Sequence, residues 1–364
     1  MSDAKARHLS QTPAPITRPA IARRQRLRAD LTLLTVAAIW GSAFAVQRVA
    51  ASHLGPFIYS GARFLLGALT IFPFTGIRLG PIPRLVKRSL GNTHQLGRRW
   101  RSSRQQGAAQ PRVEPGSARF KGLRGGMLAG SLLFGGAVFE QAGLRFTTAG
   151  KAGFITALYV VLVPLFLALG WRQRPRRSVW AASLLAATGL FLLSTGGRLA
   201  LAPGDGLILV GAVFWALHVI LISRLAQRVN VLRLALVQYL VCGLLSTCLG
   251  LVLEFPTPGE FASAWWTVAY AGIVSVGLGY TLQLVGQRVA PPTDATVILS
   301  TETVFAALSG WLFLGETLTT RQLLGCGFML AATLLAQASA FARRQASRAV
   351  RFCPSRNFSA YAAY

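Results

Sequence analysis

Ten runs of roughly twenty residues, almost free of charge, recur along this chain and leave it few ways to fold. They cover 31–50, 57–76, 125–144, 152–171, 178–196, 206–222, 232–253, 264–286, 295–314 and 322–341. An apolar segment of about 20 residues is long enough to cross a bilayer as a helix, which satisfies its own backbone polar groups where no water can. Strands of a membrane barrel would be about half as long and would alternate polar with apolar residues, and these runs do neither. Only 13% of the residues are charged, against about 25% in an ordinary soluble domain. The expected class is therefore an all-α membrane protein with ten transmembrane helices.

The basic residues set the orientation. With the N-terminus inside, 32 of the 38 Lys and Arg residues fall on the inner side and four on the outer, and the other two, Arg48 and Arg63, lie within spans. Cytoplasmic loops carry the excess of Lys and Arg, so both termini are expected in the cytoplasm. The formal charge of +28 sits where topology alone would put it, and nucleic acid is not an expected partner. The polar, basic first thirty residues and the full-length first apolar run do not read as a cleavable signal peptide. Three of the four cysteines, Cys242, Cys248 and Cys326, fall in apolar runs, and none forms a CxxC pair with another. Neither a disulfide framework nor a metal site is expected.

Two halves of the chain resemble each other. "AAIWGSAFAVQRVA" (37–50) matches "AVFWALHVILISRL" (212–225) with Trp40 on Trp215, and at the same offset Arg63 falls on Gln238. "EQAGLR" (140–145) is similar to "QLVGQR" (283–288), and "PLFLALGW" (164–171) to "VFAALSGW" (304–311), at other offsets. With five spans in each half, the second half enters the membrane with opposite polarity. Such inverted repeats underlie alternating access in many secondary transporters. The reading is two inverted five-helix repeats, 31–196 and 206–341, with basic tails at 1–30 and 342–364 and a basic cytoplasmic insertion at 77–124.

These stretches resemble the drug/metabolite transporter superfamily, specifically its EamA branch of bacterial metabolite exporters. The likeness is carried by "AAIWGSAF", "ARFLLGAL", "TTAGKAGFITALYVVLVPL" and "TETVFAALSGWLFLGETLTTRQLLG", and it covers nearly all of 31–341. The family often has Glu-Pro-Val where this chain has Glu302-Thr303-Val304. It also commonly has a short loop where this chain has 77–124. The resemblance implies a multi-pass protein of a bacterial inner membrane that moves a small metabolite, such as an amino acid or related compound, outward by alternating access. A channel or a non-transporting scaffold is the alternative. An enzyme is not expected, because HExxH, GxSxG and a His-based metal cluster are all missing from the sequence. No cofactor is expected.

Polar residues inside the spans mark the candidate path, because a charge at the bilayer centre costs about 2.5–3.5 kcal/mol on insertion scales. Of the ten acidic residues, only Glu140 and Glu302 lie within spans. Glu302 either faces a cavity, where it could exchange a proton with each cycle, or is a structural carboxyl bonded to a neighbouring helix. Arg63 either binds an anionic group of the substrate or forms an ion pair with Glu140, which should lie at similar depth. Glu140, near a span end, could also snorkel to water. His218 reads as a proton relay or as an imidazole hydrogen-bonded between helices. Trp40, Trp215, Tyr159 and Tyr280 either line an amphipathic pocket or simply pack. The cavity candidates are thus Arg63, Glu302, Trp40, Trp215, His218, Gln238 and Tyr280. Residues 77–124 hold twelve Lys or Arg and one acid, a composition that builds no core and could lie against anionic lipid. The expected partners are a small-molecule substrate and membrane lipid, with a second copy of the chain as a further candidate.

Overall fold

The computed structural model describes residues 18–76, 115–147, 149–194, 203–255, 257–314 and 319–335. All regular structure among the described residues is helical. In chain order the helices are α1 (Arg18–Ala51), α2 (Pro56–Ile71), α3 (Pro115–Gly143), α4 (Ala149–Ala157), α5 (Tyr159–Leu169), α6 (Arg177–Ser194), α7 (Pro203–Leu225), α8 (Val231–Leu253), α9 (Pro258–Tyr270), α10 (Thr281–Gln287), α11 (Pro292–Leu299), α12 (Glu302–Leu314) and α13 (Thr320–Leu335). A 3₁₀ turn, Phe72–Thr75, extends α2, and a π-helical segment, Ala271–Tyr280, joins α9 to α10.

Seven helical stretches are long and apolar enough to cross a membrane: Arg24–Ala51, Pro56–Thr75, Gly122–Gly143, Ala152–Leu169, Pro203–Leu225, Val231–Leu253 and Pro258–Gln287. Two shorter apolar helices, Arg177–Leu192 and Thr320–Leu335, fall on the fifth and tenth runs read from the sequence. The ninth run is broken into α11 and α12. Two boundaries differ from expectation. Helix α1 starts at Arg18, inside the basic tail, and α3 starts at Pro115, so 115–124 of the expected irregular insertion is helical. Residues 77–114 and 336–364 lie outside the described residues.

Helix ends follow their local chemistry. Asn230 caps α8 by accepting from Leu232 N and Arg233 N (3.0 and 3.2 Å), as a short polar side chain does at an N-cap. Pro56 and Pro292 stand in the first turns of α2 and α11, where a missing N–H costs nothing. The first turn of α2 is closed by a distant residue: the Glu254 carboxylate, just past α8, accepts from Phe57 N and Ile58 N (2.9 and 2.7 Å).

Two spans break at the middle of the protein. Between α4 and α5 the chain tightens at Leu158, with Leu158 N to Ile155 O at 3.2 Å and Val161 N to Leu158 O at 2.9 Å. Between α11 and α12 the bonds Thr301 N to Ile298 O and Val304 N to Thr301 O are likewise of the i→i−3 kind. Here Ser300, Thr301 and Thr303 each donate their hydroxyl to the carbonyl three residues back (2.9, 2.6 and 2.9 Å). Hydroxyls that bond back to the chain compete with the α-helical ladder. They supply an interruption here without a proline.

The protein is apolar outside and partly polar inside. Leu69, Leu184, Leu251 and Leu334 are each at least 60% exposed, whereas a soluble monomer rarely shows a contiguous apolar surface of this kind. Arg63, Glu140, Gln141, His218, Gln238, Gln283, Gln287 and Glu302 are all buried. The main apolar cluster, with Leu33, Phe64, Tyr159, Tyr239, Tyr280 and Leu284, surrounds these groups. At Gly41, α1 meets α12 so closely that a Cβ would lie 2.4 Å from the Glu302 carbonyl oxygen and 2.7 Å from Phe305 Cβ. At Gly136, a Cβ would lie 2.8 Å from the Trp215 indole. Both contacts set the walls of the interior space.

Candidate functional site

The polar interior lines a cleft with about 500 Å³ of space not filled by atoms, open solvent included. Helix α1 contributes Trp40, Phe44 and Gln47, spaced four and three residues apart and so on one helical face. Helix α2 contributes Arg63 and α3 contributes Glu140. Thr156 and Tyr159 flank the break between α4 and α5. Trp215 and Val219, four apart on α7, form the facing wall with Ser275 and Tyr280 of the π segment and Gln283 of α10. The second break places Leu299 and Glu302 at its edge. Both helix breaks thus border the cavity, as expected of irregular backbone at membrane depth.

Arg63 is 3% exposed. Its Nη1 donates to Gln47 Oε1, and Gln47 is held in turn by Gln141, whose Nε2 donates to the Gln47 carbonyl at 3.1 Å. The guanidinium carbon lies 5.2 Å from the Tyr59 ring centre and 5.3 Å from that of Phe64, distances at which a cation is attracted to an aromatic face. Nε and Nη2 have no hydrogen-bond partner. These two nitrogens form one edge of the fork, the edge that takes a carboxylate through two parallel hydrogen bonds.

Two carboxylates share the cavity with this cation. Glu140 Oε2 accepts from Trp215 Nε1 at 3.0 Å and from Thr156 Oγ1 at 3.4 Å. Glu302 Oε1 accepts from the Tyr159 hydroxyl at 3.3 Å, and Glu302 stands in the first turn of α12, where the helix dipole favours a negative charge. Aromatic rings fill the space between. The ring centre of Tyr280 is 4.6 Å from Trp40 and 5.8 Å from Trp215, so it lies against both tryptophans. Trp40 Nε1 donates to the Ser275 carbonyl at 3.3 Å.

Five of the seven residues singled out in the sequence, Arg63, Glu302, Trp40, Trp215 and Tyr280, line this cavity, as does Tyr159. The other two do not: His218 is hydrogen-bonded between helices, the second of its two readings, and Gln238 is its partner. His218 and Gln238 are fully buried behind the Trp215 and Tyr280 rings and do not line it. They pair with each other, His218 Nε2 to Gln238 Oε1 at 3.1 Å, across the space between α7 and α8. The Arg63–Glu140 ion pair is not formed either, although both groups face the same space. Each has found an uncharged partner instead, Gln47 for the cation and Trp215 for the carboxylate. Sequence reasoning missed Phe44 and Gln47, although their spacing from Trp40 marks the same face. It also missed Ser275, whose position depends on a π segment that carries no apolar-period signal.

Comparison with known proteins agrees with a transporter. Residues 202–337 match the EamA-like transporter family. An uncharacterized transporter of Archaeoglobus fulgidus is 28% identical over 316 residues, spanning 85% of this chain and 86% of that protein. The threonine/homoserine exporter RhtA of Escherichia coli is 32% identical over 179 residues, 47% of this chain and 58% of that one. The uncharacterized inner membrane transporter YedA of Escherichia coli is 24% identical over 321 residues, 86% of this chain and 91% of its own length. A solved crystal structure superimposes with a TM-score of 0.62 at 20% identity, over 86% of this chain and 99% of that one, which shows a shared fold.

Proposed function

We propose that this chain, a multi-pass inner membrane protein of the drug/metabolite transporter superfamily, is a secondary transporter that exports a small zwitterionic metabolite of the amino-acid type by alternating access. Seven long apolar helices, the two shorter ones and the broken pair α11–α12 support ten crossings. With both termini in the cytoplasm, these form two inverted repeats around one central cavity. Trp40 and Trp215, paired in the repeat, both rest against Tyr280, which supports that symmetry.

The observation that carries the substrate class is Arg63, a buried guanidinium whose free Nε and Nη2 edge belongs to a residue lining the cavity. An unpaired buried cation is costly, and a substrate carboxylate would relieve that cost through two charge-assisted hydrogen bonds. Glu140 and Glu302 offer acceptors for an ammonium group, and the Trp40–Tyr280–Trp215 stack offers an apolar wall for the side chain. Outward direction is supported by the likeness to RhtA, named as an exporter. Glu302, at the edge of a helix break, is the candidate for exchanging a proton with each cycle.

The test is counterflow in proteoliposomes. Vesicles loaded with an unlabelled amino acid transiently concentrate the labelled form when a carrier is present, whereas a channel or a scaffold gives no overshoot. Glu302→Gln keeps the shape of the side chain and removes its titration. The variant should still exchange substrate and should lose accumulation driven by a pH gradient. Wild-type gradient-driven accumulation in the folded variant would remove Glu302 from the coupling.

A further inference from the structure

We propose that two latches, related by the inverted repeat, close the two mouths of the cavity: Arg26 with Asp30 and Asp294 at the inner mouth, and Thr147 with Asp205 at the outer. The proposal rests on the alternating-access reading above. It concerns side chains remote from the cavity wall.

The inner contact is a buried charge cluster. Arg26 Nε lies 2.7 Å from Asp30 Oδ1 and 3.0 Å from Oδ2, and Arg26 Nη2 lies 3.1 Å from Asp294 Oδ2. Arg26, Asp30 and Asp294 are 4%, 5% and 2% exposed. Arg26 and Asp30 are four apart on α1, so they share one face, and Asp294 stands in the first turn of α11. The cluster therefore ties the start of the first span of one half to the start of the fourth span of the other. The outer contact is a single hydroxyl–carboxylate hydrogen bond between the corresponding spans. Thr147 Oγ1, just before α4, donates to Asp205 Oδ1 at 2.9 Å in the first turn of α7, and both residues are at most 6% exposed. It ties the start of the other half's first span to the start of the first half's fourth span. At the Trp40–Trp215 offset Asp30 falls on Asp205, and in the inverted-repeat reading the two contacts lie on opposite sides of the membrane.

The chemistry suits a mouth that must be dry in one state and wet in the other. A buried ion pair gains little over well-packed apolar groups, because desolvation offsets attraction. When the mouth opens, hydration repays that cost, whereas an apolar seal would resist the entry of water. The tight contact at Gly41 with the Glu302 carbonyl holds α1 against α12. Arg26 lies about 22 Å of helix from that contact, at 1.5 Å per residue.

Accessibility of one cavity cysteine tests this without any substrate. Ser275→Cys is placed in a chain whose four native cysteines are replaced by alanine. A membrane-impermeant maleimide is then applied to right-side-out and inverted vesicles. Asp294→Asn takes away the charged contact that ties α1 to α11 and leaves Arg26 paired with Asp30 on its own helix, so it should speed labelling roughly tenfold from the cytoplasmic face only. Thr147→Val, which removes the hydroxyl that Asp205 accepts from, should do the same from the outer face only. Asp294→Arg alone should also label fast from inside. The Arg26→Asp/Asp294→Arg double exchange, which keeps the charges and swaps their sides, should return to the parent rate. If Asp294→Asn is not recovered as folded protein, the double exchange compared with Arg26→Asp alone decides in its place. Unchanged rates in every variant, or equal acceleration from both faces, would overturn the latches. Counterflow by the wild-type protein reports on transport separately, so latches can fail while transport stands, and the reverse.

Discussion

Gly41→Ala is the smallest change with a large expected effect. The added carbon would sit 2.4 Å from the Glu302 carbonyl oxygen, 2.7 Å from Phe305 Cβ and 2.9 Å from Ala306 N. Ordinary carbon–oxygen contact lies near ~3.4 Å, so α1 and α12 must separate by roughly 1 Å. Two of the three obstacles are backbone atoms, so no side chain can rotate away. Forcing a methyl into a packed contact costs about 1–3 kcal/mol. Because Glu302 and Trp40 stand on the two helices being separated, the same shift widens the cavity and reduces transport more than expression. The assay is thermal unfolding of the purified protein in detergent, with Gly327→Ala as control, since a Cβ at Gly327 meets nothing within 4 Å. Gly41→Ala should lower the melting temperature by several degrees, and Gly327→Ala should leave it unchanged or slightly raised. Equal stability of the two variants would refute the close contact between α1 and α12.

Other substitutions probe other parts of the account. Gln238→Leu leaves His218 Nε2 without its partner and should cost about 1–3 kcal/mol; substrate affinity should not change, because the pair stands behind the cavity wall, and a binding isotherm on the folded variant checks this. Thr303→Pro should be tolerated at under ~1 kcal/mol, against about 3 kcal/mol for proline in a continuous helix, because the chain is already broken there; detergent unfolding measures it.

The sequence revealed height in the membrane better than direction around a helix. Apolar length alone located the seven long stretches and the two shorter helices, because a bilayer sets one length for all of them. The Trp40–Trp215 match identified two residues that meet at Tyr280. Arg63 and Glu140 were read at similar depth, and both do line the cavity. What depth cannot tell is which way a side chain points, so His218 and Gln238 were candidates for the wall, although they bond to each other behind it. The breaks at Leu158 and at Ser300–Thr301, and the π segment at 271–280, were also hidden. In a uniformly apolar run the residues that interrupt a helix look like those that continue it. At the ninth run the signal was present in the hydroxyls of Ser300, Thr301 and Thr303, but only their back-bonding distances give it meaning.

The central claim is that the free edge of Arg63 recognises a substrate carboxylate. It is tested most directly by counterflow with an amino acid and with the amine that lacks only its α-carboxylate, in wild type and in Arg63→Gln. The account predicts that wild type accumulates the amino acid and not the amine. It also predicts that Arg63→Gln, folded and inserted, loses at least ~100-fold in amino-acid exchange, as expected for a lost bidentate charged contact of about 3 kcal/mol. Equal counterflow of the acid and the amine in wild type, or undiminished exchange in Arg63→Gln, would contradict it.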